Sequence, residues 1–498
     1  MKDKREAPIE IRKNEFRKIG HQLIDTIAEF IDTIDQRPVA PAKTKSQWSN
    51  WAGSSTLPDA GQSPEEIISN AARLLFNHSL LNGHPKFLGY ITSSAAPIGA
   101  LADLLAASVN PNVGAQILSP VATEIEKQTV RWLAEFIGVP PHYGGILVSG
   151  GNMANFTGFL AARTAKTPKR FKKDGISKLK SRQMIYCSKN THTWIEKAAI
   201  LFGHGTNSIR WIETDAENKL DGRSLVRAIK KDLKAGYHPF LIIGTAGDVS
   251  TGVVDNMTEL AEICKTYDLW FHIDGAYGMP AAVIPEMKSL FDGKEFADSI
   301  AIDPHKWLYS PLEAGCTLVK NAKHLQDTFS SHPAYYNFNN IDDVQALNYY
   351  EYGLQNSRGF RALKVWLILQ QVGKSGFIRM IREDMELSRL LYSLADRHPE
   401  LEAVTQNLSI TTLRYVPTDL KKIRNRDVYL DQLNETLLNE LQIGGELFIS
   451  NAVVHKKYCL RGCIVNFRTS KKDIREIIKI IVTKGRKVHK TLQSKKRA

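Results

Sequence analysis

Between Phe16 and Ile34 the apolar residues Phe16, Ile19, Leu23, Ile24, Ile27, Phe30, Ile31 and Ile34 recur every three or four positions. That period puts them on one face of a helix, and the face must cover something. Residues 37–64 are rich in Pro, Ser, Gly and Ala and read as an extended connector. From about residue 98 the pattern changes to short apolar runs, 146–149, 184–188, 209–214, 240–244, 270–273, 299–302 and 316–319, with helical stretches such as 258–267 between several of them. Seven such runs predict a mostly parallel α/β sheet covered by helices on both faces. After Leu363 a long apolar helix through Trp366, Leu369 and Val372 leads to runs at 410–415, 447–451 and 458–467 and a helix over 472–483, a small α+β unit. The expected organisation is an N-terminal helical and extended segment at 1–97, a large α/β domain at 98–370 and a small C-terminal α+β domain at 371–498.

Composition narrows the class. With 498 residues, 43% apolar and 24% charged, the chain has the make-up of a folded globular protein. Five cysteines, Cys187, Cys264, Cys316, Cys459 and Cys463, are too sparse for a disulfide framework and lack paired CxxC spacing, so a reducing compartment and no metal site are expected. Residues 1–10 are charged, and the most apolar stretch, 98–109, is short and interrupted by Asp103. No membrane contact and a cytoplasmic location are therefore expected. Lysine and arginine outnumber acids 66 to 52, for a net charge of +14. Much of the excess sits at 166–182 and 495–497 and reads as solvated loop and tail, with no nucleic-acid partner expected; a polyanion-binding protein is the non-enzyme alternative.

In open α/β sheets the working groups collect beyond the carboxyl ends of the strands. Three such ends stand out. The run at 146–149 leads into Gly150, Gly151, Asn152 and a helical stretch, an arrangement that cradles an anion on free N–H groups, or simply a tight turn. The run at 270–273 ends in Asp274, which pairs with a cation such as a protonated ring nitrogen or caps the next helix. The run at 299–302 ends in Asp303, Pro304, His305, Lys306 and Trp307; a desolvated lysine amine suits carbonyl chemistry, whereas a lone lysine usually snorkels to the surface. Phosphate turn, acid and lysine together are the parts needed to hold pyridoxal 5'-phosphate.

The segments SPVATEIEKQTVRWLAEFIG from Ser119, SGGNMANFTGFLAAR from Ser149, THTWIEKAA from Thr191, FHIDGAYG from Phe271, IDPHKWLYSPLEAGC from Ile302, RGFRALKVW from Arg358 and LRGCIVNFRT from Leu460 carry a resemblance. Over roughly residues 14–485 the chain resembles the group II pyridoxal-phosphate-dependent decarboxylases, the aromatic-L-amino-acid and glutamate decarboxylase group. That resemblance implies the type I fold of pyridoxal-phosphate enzymes, with Lys306 joined to the cofactor aldehyde and Asp274 beside the ring nitrogen. It implies that His192 stacks on the ring near the substrate carboxylate, that Gly150, Gly151 and Asn152 hold the phosphate, and that Thr245, Ala276 and His305 line the cofactor pocket. Tyr335 falls where the family's loop places a tyrosine that protonates the substrate α-carbon; phenylalanine there would imply oxidative deamination. Two positions depart from the family pattern. Asp303 replaces a common asparagine beside the phosphate and needs a cationic partner, and Asn152 replaces a serine.

The activity so implied is decarboxylation of an L-amino acid to its amine and CO2. The RGFRALKVW and C-terminal segments are closer to the aromatic branch, which points to tyrosine, dihydroxyphenylalanine, tryptophan or phenylalanine, and 86–96, with Phe87 and Tyr90, resembles the substrate-access wall. The alternatives are a decarboxylase of acidic or other non-aromatic amino acids and an aldehyde-forming oxidase or carbon–carbon lyase of the same fold. The family also implies a homodimer wrapped by the N-terminal helix.

Overall fold

The computed structural model of the chain describes residues 7–41, 56–331, 346–420 and 425–495. Its first strand, β1 (Phe87–Leu88), belongs to a sheet completed far downstream. The seven central apolar runs form β2 (Gly144–Val148), β3 (Gln183–Ser188), β4 (Ile209–Ile212), β5 (His238–Thr245), β6 (Trp270–Asp274), β7 (Ser299–Ile302) and β8 (Gly315–Val319). They make one sheet in the order β2-β8-β7-β6-β5-β3-β4, in which only β8 runs antiparallel to its neighbours. Their apolar runs are nearly continuous because both faces are covered. Met184 and Tyr186 join the core on one face with helices Pro120–Ile137 and Met257–Tyr267, while Ile185 and Cys187 join the core on the other with helices Gly151–Lys166 and Trp194–Leu201.

The second sheet has the order β1-β11-β12-β10-β9, with β9 (Leu401–Asn407), β10 (Ile410–Tyr415), β11 (Phe448–Val454) and β12 (Lys457–Cys463). β1 pairs in parallel with β11, so the N-terminal segment contributes a strand to the C-terminal sheet. β9 carries no clear apolar signal because it is an edge strand whose residues beyond Leu401 are only half-buried. Leu430, Leu433, Leu437 and Leu441 of helix Arg426–Ile443 and Ile474, Ile477 and Ile481 of helix Lys471–Lys495 fill the core behind this sheet. Helix Ala362–Asp396 runs through the boundary expected at 370 and links the two sheets; it bends at Gly373, whose φ of 63° favours glycine.

Helix Lys13–Asp32 packs on helix Pro64–His78 through stacked Phe30 and Phe76 rings 4.2 Å apart. Ile19 is the one buried residue of the first helix, Leu23, Ile27, Phe30 and Ile31 are half-buried, and Phe16 stays 59% exposed, so the apolar stripe is partly covered within one chain. All five cysteines are buried and unpaired. No helix among the described residues is long and apolar enough to cross a membrane.

Candidate active site

The end of β2 is built for an anion. Gly150 has φ +153° and ψ −177°, a conformation essentially reserved for glycine, and opens the Gly151–Lys166 helix, whose first amides project free N–H groups. A Cβ on Gly151 would lie 2.5 Å from Asp303 Oδ2, and one on Gly150 would lie 3.1 Å from the His305 ring. β2 itself is anchored by a buried ion pair: Arg358 donates to Glu126 at 2.5 Å and to the Leu147 carbonyl at 2.7 Å, while Glu126 accepts the Leu147 N–H at 2.9 Å.

At the end of β6 the buried Asp274 carboxylate caps no helix. Its Oδ1 accepts the Ala276 N–H at 3.3 Å within the turn after the strand, and its Oδ2 accepts the Trp194 indole N–H at 2.8 Å. A fixed, water-poor carboxylate of this kind is what a protonated ring nitrogen requires. Its support is layered: His272, two residues earlier on β6, is held by Ser299 Oγ at 2.7 Å and Asn155 Oδ1 at 2.8 Å, and burial pushes its pKa down to about 4.

Beyond β7, Lys306 Nζ lies 3.3 Å from Asp303 Oδ2, and His305 Nε2 lies 3.6 Å from the same oxygen. His305 Nδ1 accepts the Ala314 N–H at 3.1 Å, which turns Nε2 toward the carboxylate. Burial lowers the His305 pKa, with Asp303 opposing and Lys306 adding to the effect, so the main counter-charge to Asp303 is Lys306. The extra carboxylate beside the phosphate cradle therefore does have partners.

These three strand ends open on one cavity of about 590 Å³. Gly150, Gly151, Asn152, His192, Thr245, Asp274, Ala276, Asp303, His305 and Lys306 all line it. His192 is open to the cavity, yet its walls exclude enough water to lower the imidazole pKa; Lys306 adds to this and Asp274 opposes it. Its Nδ1 accepts the Trp194 N–H at 3.3 Å. Thr245 Oγ1 and Asp303 Oδ1 are buried without a hydrogen-bond partner among the described residues. Glycine cradle, buried carboxylate and amine around one cavity, with the unpartnered Thr245 hydroxyl, fit pyridoxal phosphate. Tyr335 lies outside the described residues.

The second sheet supplies wall residues that strand-end reasoning does not reach. Arg461 of β12 is 4% exposed, donates from Nε to Ser450 Oγ at 3.0 Å and from Nη1 to the Val249 carbonyl, and burial lowers its pKa. Its signal in the sequence is a guanidinium inside the mostly apolar run at 458–467. Tyr90, in the segment expected to form the access wall, also lines the cavity. Its backbone adopts φ 51° and donates to Ser450 Oγ at 3.2 Å, and its ring sits 6.0 Å from Phe448, which stacks on Phe87 at 5.4 Å.

Comparison with known proteins agrees with this geometry. The pyridoxal-dependent decarboxylase conserved domain matches residues 51–414. An aromatic-L-amino-acid decarboxylase of Bacillus atrophaeus is 31% identical over 471 residues, covering 94% of this chain and 95% of that protein. A phenylacetaldehyde synthase of Petunia hybrida is 29% identical, covering 90% of each chain. The crystal structure of Catharanthus roseus tryptophan decarboxylase in complex with L-tryptophan superposes with a TM-score of 0.86 at 24% identity, covering 97% of this chain and 100% of that one, a likeness of fold.

Proposed function

Because the chain belongs to the pyridoxal-dependent decarboxylase family, we propose that it removes the α-carboxyl group of an aromatic L-amino acid as CO2 and releases the amine. Pyridoxal phosphate is the cofactor. The observation that carries this reading is the convergence of Gly150–Gly151, Asp274 and Lys306 on one cavity from three strand ends of a single sheet. When bound, the cofactor supplies an aldehyde that captures amines and a ring that takes up the electron pair left by departing CO2.

The protein's own groups do the rest. The amides opening the Gly151–Lys166 helix bind the phosphate, and Asp274 holds a proton at the ring nitrogen. Lys306 tethers and orients the aldehyde, and Asp303 beside it balances its charge. His192, kept neutral by its surroundings, covers one face of the ring. Arg461, bonded to the neutral oxygens of Ser450 and Val249, takes the substrate carboxylate. Tyr90, whose ring leans on Phe448 and through it on Phe87, offers an aromatic side chain an apolar surface at the cavity wall. Tyr335 delivers a proton to the substrate α-carbon, which determines that the product is an amine.

Aldehyde formation is the second reading, favoured by the 29% identity to the Petunia phenylacetaldehyde synthase. One reaction mixture separates the two: aromatic amino acids are incubated with the purified protein, and CO2, amine, aldehyde and ammonia are measured together. Amine and CO2 in equal amounts are expected; equimolar aldehyde and ammonia would replace the decarboxylase reading with the oxidative one. Lys306→Ala is expected to abolish turnover, and Tyr335→Phe to divert product from amine to aldehyde.

We further propose a homodimer. Leu101, Leu104, Leu105 and Val109 of helix Pro97–Val109 are 52–70% exposed, and with Ile117, Leu118 and Val121 they leave an apolar surface that a second copy would cover. A cytoplasmic location accords with five buried, unpaired cysteines.

A further inference from the structure

Lys306 is followed by a turn whose side chains point away from the cavity. Trp307 and Tyr309 are 0% and 1% exposed, and both donate to a single oxygen, Asp384 Oδ2 on helix Ala362–Asp396: the indole N–H at 2.9 Å and the phenol at 2.5 Å. Asp384 is itself 3% exposed. Tyr309 holds φ at 56°, a left-handed conformation that is strained for a large aromatic residue and persists only where the surroundings over-determine it. Its carbonyl accepts the Ala96 N–H at 2.8 Å and its amide donates to the Lys306 carbonyl at 3.3 Å, so its position sets that of the lysine backbone. The Trp307 ring stacks on Tyr277 at 5.1 Å, and Tyr277 lines the cavity.

A buried carboxyl is costly unless donors meet it, and here two of the three donors come from the turn that presents Lys306, the third being the Asn466 amide. Burial raises the Asp384 pKa to about 7, with the bonds from Tyr309 and Trp307 opposing that rise. The same helix packs against β9 and β10 of the second sheet. We propose that Asp384 is a positioning residue: by bonding Trp307 and Tyr309 together from behind, it holds the strained turn that aims the Lys306 amine into the cavity and ties that aim to the second sheet. This inference rests on the assignment of Lys306 as the cofactor lysine.

The test compares wild type with Asp384→Asn, Asp384→Ala, Trp307→Phe and Tyr309→Phe. Three quantities are measured: the rate at which cofactor-free protein takes up pyridoxal phosphate on Lys306, the visible circular dichroism of the loaded protein divided by its absorbance, and kcat separately from KM. Asn keeps an oxygen acceptor and should stay within about threefold of wild type. Ala and the two Phe variants should load more slowly, change the dichroism per absorbance, and lose about 10-fold in kcat with KM within about twofold, the pattern of a misaimed group rather than a lost contact. Variants that only melt earlier, with wild-type dichroism, loading rate and kcat, would make Asp384 a packing residue and overturn the proposal. Wild-type protein that acquires no visible band with pyridoxal phosphate would instead overturn the cofactor assignment beneath it.

Discussion

Arg461 is a guanidinium with almost no access to water whose bonds run to a hydroxyl and a carbonyl, neither of which returns a charge. Burying a cation in this way is unfavourable unless a ligand completes it, and in the proposed function an amino-acid carboxylate is that ligand. Arg461→Leu is expected to lower kcat/KM by about 10–100-fold, the equivalent of a charge-assisted hydrogen bond of about 1.5–3 kcal/mol, mostly through KM. Steady-state kinetics on the preferred substrate checks this, and an unchanged KM would remove Arg461 from substrate binding. At this scale Lys306, Asp274 and the glycine pair were legible because a polar residue closing an apolar strand is a local pattern. Arg461 was not, because its relevance depends on a second sheet folding over the first.

The elements behind the site carry predictions of their own. The Glu126–Arg358 pair is at most 1% exposed on both side chains and ties β2, whose end becomes the phosphate cradle, to the segment leading into helix Ala362–Asp396. Arg358→Met would leave Glu126 charged and uncompensated and should cost about 3–5 kcal/mol, read as a lower denaturant midpoint. His204 stacks on Phe240 of β5 at 5.5 Å, its Nε2 has no partner among the described residues, and burial, aided by Arg163, pushes its pKa down to about 4. Between the ordinary histidine pKa of about 6.5 and about 4 the unfolded chain takes up a proton that the folded chain refuses. The histidine thus subtracts up to about 1.4 kcal/mol of stability per pH unit as the pH falls through that window, and nothing above it. His204→Phe should match wild type above pH 7 and exceed it near pH 5; superimposed stability curves would refute the assignment. Strands with both faces covered were legible as continuous apolar runs, whereas β1 is too short to carry a pattern and β9, an edge strand, too weakly buried.

For the whole molecule the uncovered surface matters most. Helix Lys13–Asp32 buries one residue, and helix Pro97–Val109 turns four large apolar side chains outward. Leu104→Glu should convert a dimer into monomers in analytical ultracentrifugation with helix content retained; a wild-type protein that sediments as a stable, active monomer would contradict the dimer. What the linear order of residues determined by itself was the class of sheet and the strand-end residues that line the cavity, because strand burial, glycine conformation and the chemistry of a strand end are local properties. The tertiary structure alone decided that β1 pairs with β11, that Arg461 meets the β6 and β7 ends across one cavity, that Asp303 takes Lys306 as its counter-charge, and that Asp384 stands behind the lysine turn. The contacts of β1, Arg461 and Asp384 join separate elements, and only packing of the apolar faces sets how those elements meet.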